Sequence, residues 1–106
     1  MKIQCRSIAA EGFDWDDGNL LKAQKHGLSL KQIEKFFQQE LLIVPDYKNS
    51  DVEDRYVAFS AEVTGRAMIA IFTMRELRGA TLIRVISARY MHKKEILIYE
   101  KIKENI

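Results

Sequence analysis

The segment FDWDDGNLLKAQKHG (13–27) predicts a first helix, because acidic residues lie near its start and cationic residues followed by a glycine lie at its end. Asp16 and Asp17 suit its N-terminal end, because carboxylates there meet backbone N–H groups that have no partner within the helix. Gly27 is the kind of residue that ends a helix in a left-handed conformation. We therefore expect the first helix to stop at Gly27.

A second helix is predicted for the segment SLKQIEKFFQQ (29–39), which follows directly. Ser29 and Gln32 have capping-box spacing, in which each side chain bonds the backbone N–H of the other residue. The short connection indicates that the two helices form a hairpin packed on a larger element. The apolar side chains of the second helix form one stripe, made of Leu30, Ile33, Phe36 and Phe37.

Four apolar runs in the rest of the chain predict strands. They cover residues 40–44, 55–61, 66–74 and 81–89. Thr64-Gly65 and Arg78-Gly79 are turn signals between the last three runs. Connections this short cannot hold a parallel crossover, so we expect antiparallel neighbours. A further short strand is predicted for residues 2–9.

A third helix is predicted for residues 91–104, because Ile98, Ile102 and Ile106 repeat every four residues. No good N-cap residue precedes this segment, so the pattern does not define where the helix begins. The order is helix, helix, about four strands, helix. It predicts an α+β fold with helices packed on an antiparallel sheet, in a single domain over residues 1–106.

Composition argues against several classes of protein. The only cysteine is Cys5 and the two histidines are far apart in the sequence, so we expect no disulfide, no metal site and no cofactor. The longest apolar runs are far shorter than a bilayer span, and no secretory signal is present, so a cytoplasmic protein without membrane contact is expected. The net charge of +2 is too small to indicate nucleic-acid binding by itself, so the location of the charges matters.

Three arginines fall at predicted strand ends, namely Arg55, Arg75 and Arg89. In a meander, alternation along the strands can put Arg75 and Arg89 on one sheet face. Two guanidinium groups there would form a phosphate clamp, since their forked donors match phosphate oxygens. The pattern alone favours a plainer interpretation, in which all three are held in surface ion pairs.

Glu95 lies on the apolar stripe of the third helix, beside Ile98 and Tyr99. A carboxylate in that position is unfavourable unless it is paired, and Arg89 is a candidate partner. A purely structural ion pair and a functional one are equally compatible with the pattern. Tyr99 is better explained as a core tyrosine than as a catalytic acid.

Lys25 and His26 end the first predicted helix and are a second source of candidate chemistry. Histidine titrates near neutral pH and suits acid–base work. Cations at a helix C-terminus followed by glycine are also explained without any function. Lys93 and Lys94, next to His92, are better explained as part of a solvated face.

Four motifs of the chain, taken in order, resemble the BrnT-type toxins of bacterial BrnT/BrnA toxin–antitoxin modules. They are FDWDD…KHG near the start, EDRY (53–56), FTMRE (72–76) and VISARYMHKKEILIYE (85–100). The resemblance covers residues 13–100. It implies a RelE-like fold and a metal-independent endoribonuclease that cuts RNA and stalls translation. It also implies a BrnA-like antitoxin with a ribbon–helix–helix domain, through which the complex contacts its operator DNA.

Residue by residue, the resemblance covers most of the candidate polar positions. Those that match recurrent positions of the family are Lys25, His26, Arg55, Arg75, Arg89, Glu95 and Tyr99. One position departs from the pattern, because Lys22 stands where the family usually has Asn. Any hydrogen bond made by that Asn is therefore changed in this chain.

The hypothesis that follows is cleavage without metal, in which the RNA's own 2′-hydroxyl attacks the adjacent phosphate and leaves a 2′,3′-cyclic phosphate. Arg75 and Arg89 would stabilise the charge on phosphorus, and Glu95 or His26 would act as base. Arginines beside Glu95 would lower its pKa and make it a poor base, so it also qualifies as a holder of Arg89. Contacts to RNA are assigned to Lys25, Arg55, Lys93, Lys94 and Tyr99.

Two other functions remain open at this point. Because Lys22 stands in place of Asn, the chain is also compatible with an inactive homologue that binds the antitoxin as co-repressor. A domain that binds RNA without cutting it is the third possibility. The segments LLIV (41–44) and KIQCRSIA (2–9) could offer an edge or groove to the antitoxin. The pattern favours ordinary core strands for both segments.

Overall fold

Helices lie on both faces of a six-stranded sheet in the computed structural model, which describes residues 4–46, 48, 53–60 and 66–104. The elements in chain order are β1 (Gln4–Arg6), β2 (Gly12–Phe13), α1 (Leu20–Ala23), α2 (Leu30–Phe37), β3 (Leu41–Pro45), β4 (Arg55–Ser60), β5 (Met68–Leu77), β6 (Ala80–Tyr90) and α3 (Lys93–Glu104). The predicted α+β class is thereby confirmed. Among the described residues, no helix has the length and apolar character needed to cross a membrane.

The sheet has the strand order β1-β3-β4-β5-β6-β2, and its central four strands are the four runs predicted from the sequence. All neighbours are antiparallel except β2, which runs parallel to β6. The segment LLIV forms most of β3, lies between β1 and β4, and is buried at Leu41, Leu42 and Ile43. It is therefore a core strand, as its pattern favoured.

The first predicted helix is wrong over most of its length. Residues 12 and 13 form β2 instead, and the helix is reduced to the four residues of α1. The backbone N–H groups of Glu11 and Asp14 donate to the carbonyls of Thr81 and Ile83, at 2.9 Å each. Phe13 meanwhile packs against the core. Pairing with β6 outweighs the weak helical preference of this segment, an effect that local spacing does not reveal.

One face of the sheet, called here the first face, packs against α1 and α2. It supplies Leu41, Ile43, Ala58, Phe72 and Val85 to the main core. The two helices add Ala23, Ile33, Phe36 and Phe37. The capping box of α2 is present as predicted: Ser29 Oγ accepts from the N–H of Gln32 at 3.2 Å, and Gln32 Oε1 accepts from the N–H of Ser29 at 2.9 Å.

The opposite or second face carries α3, which packs over one end of it. Tyr99 is 2% exposed and packs there with Leu42, Phe59 and Ile69. Its ring is stacked on that of Phe59 with centroids 6.3 Å apart. Tyr99 is therefore a core residue, the interpretation that its place on the apolar stripe favoured.

A β-bulge in β6 decides which residues reach the second face. Ile71 pairs with Ser87 and Phe72 with Val85, so Ile86 is an extra residue on β6. The alternation of side chains reverses there, and Arg89 therefore lies on the face opposite Val85. Without the bulge, Arg89 would point toward α2.

The β5–β6 hairpin closes at Arg78 and Gly79, as the turn signal predicted. Both residues have positive φ, 51° and 80°, which is typical of the two-residue turns that join antiparallel strands. The other turn signal, Thr64-Gly65, lies outside the described residues.

Candidate functional site

The second face presents two groups of charged side chains, separated along β5. Arg75 lies opposite Leu82, whereas Arg89 lies opposite Ile69, six positions away along the same strand. At about 3.3 Å per residue, the two arginines are roughly 20 Å apart along the sheet. They share a face, but Arg89 reaches it because of the bulge at Ile86 and not through the regular alternation on which the prediction rested. The predicted two-arginine clamp on one phosphate is not formed.

The first group, called here the arginine cluster, consists of Arg55, Arg75 and Arg84. Arg55 pairs with Thr73 across β4 and β5, and Thr73 pairs with Arg84 across β5 and β6. Arg55, Thr73 and Arg84 therefore form one row across the sheet, and Arg75 lies two positions farther along β5 than Thr73. The cluster is at the end of the second face that is remote from Tyr99 and α3.

Arg84 is the most firmly held member of the arginine cluster. Its Nη1 and Nη2 donate to the two carboxylate oxygens of Asp16, at 2.9 and 3.1 Å. Its Nη1 also lies 3.4 Å from Asp14 Oδ2. The hydrogen bond between Arg84 and Asp16 lowers the pKa of Asp16 and raises that of Arg84. Both groups therefore stay charged around neutral pH, and Arg84 is fixed in orientation.

Arg75 is held more loosely. Its Nη1 lies 3.3 Å from Asp14 Oδ2, and its side chain is 40% exposed, against 16% for Arg84. Arg55 also lies beside a carboxylate, with its Nη2 3.3 Å from Glu53 Oε1 and its side chain 33% exposed. Arg75 is thus the member of the cluster best placed to exchange its carboxylate for an anion from solution.

Sequence reasoning missed both Arg84 and the residue that organises its partners, Asn19. Asn19 is 3% exposed, and its Nδ2 donates to the carbonyls of Asp14 and Val85 at 3.0 and 2.9 Å. Its Oδ1 accepts from the N–H of Asp16 at 2.9 Å. The segment that carries the two aspartates is therefore fastened to β6. The alternation of acidic and aromatic residues in Asp14-Trp15-Asp16 was the available sequence signal. The sequence did not reveal that this segment pairs with β6.

The second charged group is the pair formed by Arg89 and Glu95. Arg89 Nη1 and Nη2 donate to the two oxygens of Glu95, both at 2.7 Å, and Nη1 also donates to the carbonyl of Tyr90 at 3.2 Å. Glu95 Oε1 accepts in addition from the N–H of His92 at 2.7 Å. This last bond caps the start of α3, which explains how the helix begins without a conventional N-cap side chain.

These contacts determine the chemistry available to Glu95. The Arg89 hydrogen bonds, followed by the backbone N–H of His92, lower the pKa of Glu95 to about 2 against the opposing effect of desolvation. A carboxylate this acidic is a weak proton acceptor at neutral pH. The geometry instead fits a residue that holds Arg89 and joins α3 to β6.

Between the two charged groups, the second face is lined by small and apolar side chains. Val57, Ile71 and Ser87 form one row across β4, β5 and β6, and all three are half-buried. A pocket of about 30 Å³ lies between Ile71, Ser87 and Arg89. The face is therefore a continuous surface with cations at both ends.

The remaining predicted residues lie elsewhere. Lys25 and His26 are exposed in the turn after α1, and no described hydrogen bond or ion pair links them to Arg75 or Arg89. Lys93 and Lys94 are exposed in the first turn of α3, close in sequence to the Arg89–Glu95 pair. Within the described part of the chain, no three His, Cys, Asp or Glu side chains form a group that could hold a metal ion.

Comparison with known proteins assigns the chain to a family. A family model described as "Ribonuclease toxin, BrnT, of type II toxin-antitoxin system" matches residues 15–95, well over half of the chain. The match includes the arginine cluster and the Arg89–Glu95 pair and ends before Tyr99. Comparisons with curated proteins and with solved structures found no significant match. The chain belongs to the BrnT family of ribonuclease toxins of type II toxin–antitoxin systems, as its sequence motifs indicated.

Proposed function

We propose that this protein is a toxin that cuts RNA without a metal ion, thereby inhibits translation in the cytoplasm, and is neutralised by a BrnA-like ribbon–helix–helix antitoxin. Family membership implies an RNA substrate and an antitoxin partner. The observation that carries the proposal further is the second face, a sheet surface with a half-buried arginine at each end, Arg75 and Arg89. Guanidinium groups bind phosphate at any physiological pH, because they do not lose their charge.

RNA binding would begin at the arginine cluster. Arg75 has a single ion pair at 3.3 Å and a half-buried side chain, so a phosphate can replace Asp14 with little disturbance. Arg84 stays bonded to Asp16 and offers a fixed positive charge beside it. The row of Val57, Ile71 and Ser87 then lies beneath the ribose and base of the bound strand.

The chemistry we propose is attack by a ribose 2′-hydroxyl on the adjacent phosphate. The 2′-hydroxyl loses its proton as the new P–O bond forms, the bond to the 5′-oxygen breaks, and that oxygen takes up a proton. The products are a 2′,3′-cyclic phosphate and a 5′-hydroxyl. Arg75 and its neighbours stabilise the added negative charge on the phosphate oxygens, which is the largest effect available to a site of this kind. Glu95 positions Arg89 rather than removing the proton, because its pKa is about 2.

His26 is then the titratable candidate left for the proton transfer. It is exposed in the turn after α1, beside Lys25, and no described contact joins it to the second face. If His26 moves the proton, the bound RNA must reach that turn. Replacement of His26 by Gln would then reduce the rate of cleavage.

A co-repressor without nuclease activity is the second candidate. Each arginine of the second face already meets a carboxylate in the described structure, and Lys22 replaces the usual Asn of the family. Both observations suit a protein that only binds its antitoxin. Growth arrest on expression without the antitoxin, relieved by co-expression, would exclude this candidate.

The direct test of the proposed function is incubation of the purified protein with RNA in excess EDTA. We expect new RNA ends that carry 2′,3′-cyclic phosphate, at a rate that EDTA does not change. Complete loss of cleavage in EDTA, with recovery on adding a divalent metal, would contradict the metal-independent mechanism. RNA binding without new ends would instead support an RNA-binding role alone.

A further inference from the structure

A polar pocket on the first face has no role in the function proposed above. It has a volume of about 330 Å³ and lies between α2 and the end of β6. Its floor includes the apolar side chains of Phe36 and Met68, and its rim includes Gln32, Lys35, Arg66 and Tyr90. It is called here the Tyr90 pocket.

The aromatic ring of the Tyr90 pocket is held from two sides. The guanidinium carbon of Arg66 lies 4.0 Å from the ring centroid of Tyr90, which is a cation–π contact. Gln32 Nε2 donates to the hydroxyl of Tyr90 at 3.3 Å. The pocket therefore presents a guanidinium group over an aromatic ring, with a side-chain amide at the ring's edge.

The charge of the Tyr90 pocket differs from that of the second face. Within the described part of the chain, neither Lys35 nor Arg66 forms an ion pair, whereas Arg75, Arg84 and Arg89 each meet a carboxylate. Two cations without a described counter-charge, at the rim of a concave site, favour an anionic ligand.

We propose that the Tyr90 pocket is a subsite for one nucleotide of RNA that flanks the cleaved bond. Lys35 and Arg66 contact its phosphate, the base stacks on the guanidinium of Arg66, and the second N–H of Gln32 Nε2, which is not used by Tyr90, donates to the base edge. Stacking on aromatic rings or arginine planes, together with amide bonds to base edges, is how proteins bind unpaired RNA bases. The inference rests on the proposed function, since the flanking nucleotide belongs to the substrate.

The path from the second face to the Tyr90 pocket is short. Arg89 and Tyr90 are neighbours at the end of β6 and point to opposite faces, and Arg89 Nη1 donates to the carbonyl of Tyr90. The described pairing of β2 with β6 involves only Leu82 and Ile83, so β2 does not border this end of β6. A single RNA strand bound at Arg89 can therefore pass over the edge of β6 into the pocket.

An acidic peptide would also be attracted by Lys35 and Arg66, but it would leave the other features unused. A carboxylate needs only cations, whereas the ring, the guanidinium plane and the amide of Gln32 match a planar base with polar edges. The apolar floor formed by Phe36 and Met68 also suits a base better than a charged side chain.

The test uses the full-length protein with charge-removing substitutions at the pocket rim. Lys35→Gln and Arg66→Gln are made singly and together, and Lys31→Gln is the matched control, since it removes the same charge from an exposed position of the same helix. The probe is a fluorescent 2′-O-methyl oligonucleotide of about twelve nucleotides, which cannot be cut through a 2′-hydroxyl. Fluorescence anisotropy gives its Kd, and thermal unfolding checks that each variant is folded.

We expect the double variant to bind the probe about tenfold more weakly than wild type and Lys31→Gln to bind it almost normally. On long RNA the double variant should show a raised KM with unchanged kcat, and on a dinucleotide it should match wild type. Equal Kd values for the double variant and Lys31→Gln would overturn the inference. The inference would also be overturned if the wild-type protein did not bind the oligonucleotide. The same holds if the double variant lost only the binding of an acidic peptide used as a second probe.

The outcomes also separate this inference from the proposed function. A wild-type protein that binds the probe through the pocket but cuts no RNA contradicts the nuclease proposal and leaves the subsite standing. A protein that cuts RNA, with the double variant binding as well as wild type, contradicts the subsite alone.

Discussion

The arginines of the second face differ in how tightly their carboxylate partners hold them. Arg89 makes two hydrogen bonds of 2.7 Å to Glu95, and Arg84 makes bonds of 2.9 and 3.1 Å to Asp16. Arg75 has one longer contact of 3.3 Å, to Asp14. Two-pronged pairs fix the position of both side chains, whereas a single longer pair exchanges readily with another anion. Arg75 is therefore the residue most open to a phosphate.

Replacing Asp14 by Asn tests this difference at the residue scale. The substitution removes the negative charge that Arg75 and Arg84 share. We expect RNA to bind a few-fold more tightly, with a steeper dependence of Kd on salt, because one more cation becomes available to phosphate. Asp17→Asn is the control, since it makes the same charge change at an exposed neighbouring position. Equal effects of the two substitutions would show that only net charge matters.

The Arg89–Glu95 pair predicts a specific loss of stability in acid. Glu95 has an ordinary pKa near 4.5 and a folded-state pKa of about 2. Its contribution to stability is therefore fully present above pH 4.5 and is lost as the pH falls through about 2. Replacing Glu95 by Gln should lower the free energy of unfolding at pH 7 by about 1 kcal/mol, since the pair is partly exposed.

The measurement is urea unfolding of both proteins from pH 7 down to the acid range. The stability difference between wild type and Glu95→Gln should shrink as the pH falls. A difference that stays constant with pH would show that the ionised carboxylate is not what stabilises this junction. Glu100→Gln, at an exposed position of the same helix, is the control.

At the scale of elements, two local features bring the charged groups to one face. The bulge at Ile86 turns Arg89 away from the core, and the parallel pairing of β2 with β6 places Asp14 beside Arg84. Neither feature follows from periodicity, because a bulge adds one residue and a two-residue strand has no period. The fold thus builds its charged face with irregular elements at the edge of a regular sheet.

Asn19 is the residue on which the junction of β2, α1 and β6 depends. It is buried and makes three hydrogen bonds that join these elements. Replacing Asn19 by Ala should lower the free energy of unfolding by about 2–3 kcal/mol, because buried carbonyls lose their donor. RNA cleavage should fall as well, since Asp14 and Asp16 no longer hold Arg84 in place.

Chemical denaturation and the cleavage assay, made on the same preparations, check this prediction. Lys22→Ala serves as control, because Lys22 is an exposed residue of the same short helix. An Asn19→Ala protein with wild-type stability would mean that the junction does not rely on this side chain.

For the whole molecule, the parts that periodicity controls were predictable from the sequence. The four central strands, α2 with its capping box, α3 and the α+β class follow from spacing and turn signals. The partnership of Arg89 with Glu95 followed from an acid on an apolar stripe. In contrast, the register that separates Arg75 from Arg89 and the contacts of Arg84 depend on tertiary pairing, which a local pattern does not encode.

The arginines are distributed unevenly over the whole molecule. The net charge of the chain is only +2, yet the second face carries Arg55, Arg75, Arg84 and Arg89, of which Arg75 has the most exposed side chain. Binding and cleavage of RNA should therefore depend on this face and on no added metal.

The most direct test is the rate of RNA cleavage in excess EDTA by wild type and by Arg75→Ala, with Arg75→Lys and Lys31→Ala as controls. We expect wild type and Lys31→Ala to cut equally well, and Arg75→Ala to be slower by roughly 100-fold with almost unchanged stability. Arg75→Lys should fall between them, because it keeps the charge and loses the forked geometry. Cleavage by Arg75→Ala at the wild-type rate would contradict the role of Arg75, and no cleavage by wild type in EDTA would contradict a metal-independent ribonuclease.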